Sequence, residues 1–128
     1  MTQPASQIRE VTVSGRSTDV FGRVLCQART HHFIIDGPVQ NGCPGEELTP
    51  PEIFFASVAA CGVELCQVIA KEEGLPIPDV HASVYGKIDR ANPVRPDVTV
   101  YNEVRVSFEL AGVAPEQAGA IVEKFKKR

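Results

Sequence analysis

From Ile53 to Ala70 the chain carries only three polar side chains, Ser57, Glu64 and Gln67. The signals around this run mark a helix from a Thr49 cap to Gly74. Thr49 can accept a bond from a free first-turn amide, and Glu52, three residues on, can bond back in a capping box. Pro50 takes the first helical position, where its missing N–H costs nothing. Gly74 suits the residue just past the end, and Pro76 and Pro78 forbid continuation. Such a helix of about 24 residues would run about 36 Å. A surface helix shows one apolar stripe, whereas this one is apolar nearly all round and reads as buried. A small chain cannot easily cover every face of it, so a second copy is expected to do so, as an obligate homodimer.

The flanking segments alternate or cluster as strands. Ile8 to Gly15 reads as a first strand and Arg16 to Gly22 as a turn. Arg23 to Ala28 and His31 to Asp36 read as the second and third strands, closed by Asp36-Gly37-Pro38. Val39 to Leu48, with Gly42, Pro44 and Gly45, is a loop, and its place before the helix makes it a natural rim for a site. Beyond Pro78, Val80, Ala82, Val84, Gly86 and Ile88 share one side of a strand. A second alternating run extends from Val98 to Leu110, and only Asn102 interrupts its apolar face. Pro115 opens a last helix with Ala118, Ile121, Val122 and Phe125 at helical spacing. The order β-β-β-α-β-β-α argues for an α+β domain with a mostly antiparallel sheet. The 128 residues read as one domain, with 1–7 disordered.

Composition narrows the function classes. Net charge is −3 and the pI is about 5.6, which speaks against nucleic acid as a partner. The basic end, Lys124, Lys126, Lys127 and Arg128, reads as a complement to the last helix's dipole. The central apolar run is long enough to cross a bilayer, but Glu64 near its middle and the lack of a second span argue against a membrane role. The N-terminus is polar and carries no signal peptide. The four cysteines, at 26, 43, 61 and 66, show neither CxxC nor zinc spacing. No metal or other cofactor is implied, and His31, His32 and His81 read as strand surface. A cytoplasmic protein with reduced thiols fits best.

Cys61 stands at the centre of the long helix, on one side with Ser57, Glu64, Phe54, Leu65 and Val68. It is either a reactive thiol or a small buried hydrophobe. Glu64 is either its hydrogen-bond partner or a buried carboxyl paired with an arginine.

Three N-terminal strands, a DGP turn, a Gly-rich loop and TPPEIFFASVAACGVEL together resemble the OsmC/Ohr family, the osmotically inducible and organic-hydroperoxide-resistance proteins. The resemblance spans about Ile8 to Arg128 and is most specific over Pro50 to Cys61. It implies an intertwined α+β homodimer around the long buried helix. It also implies thiol peroxidation of organic or lipid hydroperoxides. On that resemblance Cys61 matches the peroxidatic cysteine, and Arg16, in SGRSTD, matches the arginine that holds the thiolate. Glu52 lies beside the place of the helix-opening glutamate, which in the peroxidase branch stands ten residues before the cysteine, where this chain has Pro51. Glu52 is equally explained as a cap alone. The family's resolving cysteine follows the last helix, and the present sequence has none there, so an external thiol reductant is expected. Cys43 and Cys66 are the substitutes within the chain.

Such chemistry needs a thiolate, a guanidinium fork and an apolar funnel. Phe54, Phe55, Val58 and Leu65 are expected to form its wall. The alternative is a non-catalytic dimer of the same fold, binding a small ligand or serving a structural role.

Overall fold

Sequence-local signals and strand pairing together set the elements of the computed structural model, which describes residues 7–128. The expected disorder of residues 1–7 falls, apart from Gln7, outside the described residues. The elements are β1 (Val13–Ser17), β2 (Arg23–Ala28), β3 (His31–Asp36), α1 (Pro50–Glu72), β4 (Asp79–Lys87), β5 (Glu103–Ala111) and α2 (Pro115–Phe125), with a 3-10 turn at Val39–Asn41. This is an α+β chain with two antiparallel sheets. The chain divides into two compact units, one ending at Ile53 and the other Phe54–Arg128.

In the first unit, β2 pairs with both β1 and β3. β2 and β3 have the expected bounds. β1 does not. It begins at Val13, not Ile8, and it continues through Arg16 to Ser17, which had read as turn. The reason is the partner's length. Val13 stands opposite Ala28, the last residue of β2, where the chain turns at Arg29 with φ 54°. Among the described residues, none stands in register opposite 8–12, so no ladder holds that exposed stretch as a strand.

The loop after β3 is folded onto one carboxylate. Asp36 is fully buried. Arg23 donates to it from Nε and Nη2 at 2.8 and 2.9 Å, and the Glu46 and Glu47 N–H groups donate at 3.0 and 2.9 Å. Its own N–H donates to the Leu48 carbonyl at 3.0 Å. The loop thus returns to its starting point before α1 begins. Cys43 packs within this loop against Gly22 and Gly37, where a side chain on either glycine would collide with its sulfur.

Helix α1 starts at Pro50 as expected, but its cap differs in detail. Glu52 accepts both the Thr49 N–H and the Thr49 hydroxyl at 2.9 Å. The hydroxyl therefore donates to the glutamate, in place of accepting from a first-turn amide. At the other end, Leu75 N–H bonds to Ala70 and Gly74 N–H to Lys71, with Gly74 at φ 69°. That is a Schellman close, and Leu75 adds its hydrophobic contact.

In the second unit, Cys66, Ile69 and Ala70 of α1 form the core with Ile121 of α2, and Leu75, Val80, Phe108, Leu110 and Phe125 pack around them. The β4–β5 hairpin puts Val80, Ala82 and Val84 opposite Leu110, Phe108 and Val106. Two glycines permit close approach. At Gly62 a Cβ would lie 2.8 Å from the Phe108 ring, and at Gly86 it would meet Phe55 and Tyr101. β5 starts at Glu103, five residues after the expected Val98, because Glu103 faces Lys87, where β4 ends. Asn102 closes the loop between them. Its N–H bonds to the Lys87 carbonyl at 2.8 Å, its Oδ1 accepts the Asp89 N–H at 2.7 Å, and its Nδ2 donates to the Asn92 carbonyl at 2.7 Å.

Within one chain α1 is not covered all round. Its buried residues are Gly62, Cys66, Ile69 and Ala70. By length and composition it could cross a membrane, with mean hydropathy 1.9, and only 22% of that apolar stretch is buried.

The Asp36 cluster yields a pH prediction. The Arg23 guanidinium and then the two backbone donors hold the Asp36 carboxyl well below the usual aspartate range, against the opposing effect of burial. Its stabilisation is therefore complete above the ordinary aspartate pKa of about 4 and is lost as pH falls below that value. Asp36→Asn should lower the urea midpoint at pH 7, and its deficit relative to wild type should shrink as pH is lowered toward 3. Urea titrations at several pH values check this. A deficit independent of pH would show that the carboxylate charge is not what matters.

Candidate functional site

Cys61 lies mid-helix and is exposed. A helix dipole acts over the first and last turns only, so α1 gives this thiol no help from its N-terminus. The thiol opens into a cavity of about 420 Å³ lined by Ser57, Val58, Cys61 and Leu65 of α1 and by Phe125, Lys126 and Arg128 from the end of α2 and beyond. The walls are mainly apolar and the rim is basic. The Ser57 hydroxyl donates to the Phe54 carbonyl at 2.6 Å, so toward the cavity its oxygen can only accept.

The expected wall residues divide. Val58 and Leu65 line the cavity with Cys61. Phe55 packs at a tilt against Tyr101, with ring centroids 5.2 Å apart, and lies against Gly86. Phe54 is exposed, 6.1 Å from the Phe55 ring centroid. Glu64 is exposed and does not line the cavity, so a buried carboxyl is not its state within the chain.

Arg16 and Glu52 belong to the first unit. Arg16, on β1, stands in register with Leu25 of β2 and lines a cavity of about 380 Å³ with Ser14, Gly15, Leu25, Gln27 and His32. Glu52 caps α1, and its two bonds from Thr49 hold its carboxyl below the usual range.

The other thiols differ from Cys61. Cys66 is completely buried, and that burial pushes its thiol pKa up. Cys26 is buried in the first sheet beneath Gly15, and Cys43 is half-buried in its loop. His31, His32 and His81 all lie exposed on strands.

The family model for OsmC-like proteins matches residues 43–128. The chain belongs to the OsmC-like family. Solved structures share the fold of this OsmC-like chain at low identity. The OsmC-like protein of Mycoplasma pneumoniae is 13% identical with a TM-score of 0.78, over 94% of this chain and 82% of that one. An organic hydroperoxide resistance protein from Legionella pneumophila is 18% identical with a TM-score of 0.72, over 94% and 84%. The organic hydroperoxide resistance protein OhrB of Bacillus subtilis is 19% identical with a TM-score of 0.65, over 93% and 84%. No curated protein matches the chain.

Reasoning from sequence missed Phe125, Lys126 and Arg128 as neighbours of Cys61. The basic residues read as a dipole complement and Phe125 as core. A signal was present, because the resemblance puts the family's second cysteine just after the last helix. That placement already implies that the end of this helix approaches Cys61.

The thiols of this OsmC-like chain should separate cleanly by alkylation. Under native conditions Cys61 should react with iodoacetamide at neutral pH, and Cys66 at least about tenfold more slowly, because it is both buried and less acidic. Peptide mass spectrometry after timed labelling checks this. Equal rates would contradict the burial of Cys66.

Proposed function

We propose that the chain is a homodimeric, thiol-dependent peroxidase that reduces organic or lipid hydroperoxides, with Cys61 as the peroxidatic residue. The observation that carries this reading is an exposed thiol opening into a mainly apolar cavity in a chain of the OsmC-like family. Two of the structures that share the fold are named for organic hydroperoxide resistance, which supports the same reaction here.

The thiolate of Cys61 attacks the terminal oxygen of the hydroperoxide. The S–O bond forms as the O–O bond breaks, sulfur loses two electrons, and the departing alkoxide takes a proton to become the alcohol. Cys61 is left as a sulfenic acid. Val58, Leu65 and Phe125 receive the alkyl group, which gains about 0.8 kcal/mol per buried CH₂. Hydrogen peroxide has no such group, so alkyl hydroperoxides are preferred. Arg16 is assigned the role of holding the thiolate, on the family resemblance, and Glu52 that of fixing the start of the catalytic helix.

Cys66 is buried in the core and so is badly placed to resolve the sulfenic acid. An external thiol is therefore the proposed reductant. A first thiol displaces water to form a mixed disulfide, and a second releases Cys61 and leaves as the oxidised disulfide. The four free cysteines fit action in the cytoplasm, where such reductants are held. A second copy would cover the apolar surface of α1 that one chain leaves open, and the whole 128-residue chain would act as one OsmC-like domain within that dimer.

Four measurements test this reading. After one equivalent of cumene hydroperoxide, dimedone should trap a single adduct on Cys61, and Cys61→Ser should consume no peroxide. In the reduced protein, Arg16→Ala should slow iodoacetamide alkylation of Cys61 near neutral pH. A disulfide from Cys61 to Cys43 or Cys66 would overturn the external reductant. An accessible Cys61 that never oxidises would favour the non-catalytic ligand-binding dimer. Separately, sedimentation equilibrium at micromolar concentration should give twice the 13.9 kDa chain mass. A folded monomer would refute the dimer.

A further inference from the structure

The charged side chains that line the Cys61 cavity are all of one sign. Lys126 and Arg128 line it, and none of its lining residues is acidic. This is a local property, since the chain as a whole has net charge −3. Both cations have carboxylate neighbours, but these do not line the cavity. Lys126 pairs with Glu123 at 2.8 Å and Arg128 with Glu72 at 2.7 Å. All four side chains are exposed, Arg128 least, at 43%. Such pairs are weak and screened by salt, so an anion brought in by an apolar body can take their place. The apolar body has its own site on Val58, Leu65 and Phe125. Lys126 also borders a second groove, of about 440 Å³, lined by β5 and by α2, Glu123 included.

We propose that Lys126 and Arg128 are specificity-determining residues that bind an acidic head group and make the cavity prefer carboxylate-bearing apolar hydroperoxides to their uncharged esters. The hydroperoxide part of this inference rests on the peroxidatic reading of Cys61. The head-group part does not. Arginine is suited to this role because its planar fork can accept a carboxylate through two parallel hydrogen bonds, while lysine contributes a point charge.

The test compares linoleic acid hydroperoxide with its methyl ester in wild type, Lys126→Gln, Arg128→Gln and Lys126→Glu, reading the acid-to-ester ratio of kcat/KM within each protein so that general losses cancel. Wild type should favour the acid by about tenfold at low salt. The ratio should fall toward one in each glutamine variant and below one in Lys126→Glu. A parallel binding experiment needs no chemistry. The Cys61→Ser protein is titrated calorimetrically with dodecanoate and with methyl dodecanoate, with and without the Lys126→Gln change. Tighter binding of the acid, lost with Lys126→Gln and weakened by about 0.5 M salt, supports the head-group site. If that result holds while wild type reduces no hydroperoxide, the peroxidase reading fails and the head-group site stands. Equal binding of acid and ester, or a ratio unchanged by the substitutions, overturns the proposal whatever the activity.

Discussion

The buried carboxylate of Asp36 is the constraint on which the entry to the long helix depends. A charged group with no solvent contact is tolerated only when its acceptor sites are filled. Here a guanidinium fork fills two of them and the backbone of Glu46 and Glu47 the rest. The donors come from β2 and from the far end of a loop whose first residue follows Asp36 itself. One side chain thereby fixes both ends of that loop, and with it the position from which Thr49 and Pro50 launch α1. The DGP sequence that announced a turn is, in the folded chain, the anchor of the whole approach to the helix.

What the sequence made legible follows from how local each signal is. The ends of α1 are written in Thr49, Pro50, Glu52 and Gly74, each of which acts within one turn, and the helix has those ends. β2 and β3 are bounded by turn residues and have the expected limits. The starts of β1 and β5 were misplaced because an alternating pattern says which residues suit a strand but not where the opposite strand stops. Asn102 shows the other side of this. A polar residue on an otherwise apolar face looked like a blemish, and it is the residue that stops the hairpin and satisfies the backbone there.

The site was half legible for a related reason. Helical spacing places Ser57, Val58 and Leu65 near Cys61 from the sequence alone. It does not say which way the two adjacent phenylalanines turn, and Gly86, some thirty residues on, decides that Phe55 packs on the hairpin. Nor does it show that the basic tail lines the same cavity as the thiol, since that cavity joins residues far apart in the chain. The even apolar pattern of α1 signalled burial, but a pattern within one chain cannot name what covers it.

The clasp at Asn102 has a consequence for how this chain can vary. Asn102, Asp89 and Asn92 close the base of the loop with their own hydrogen bonds, so the strand register above does not rely on residues 93–100. Those residues, with Pro93 and Pro96, can lengthen, shorten or change composition while β4 and β5 stay aligned. Related chains can therefore be expected to differ in length there before they differ anywhere in the paired strands. The same tip is the natural place to insert a tag or a reporter peptide without disturbing the cavity at Cys61.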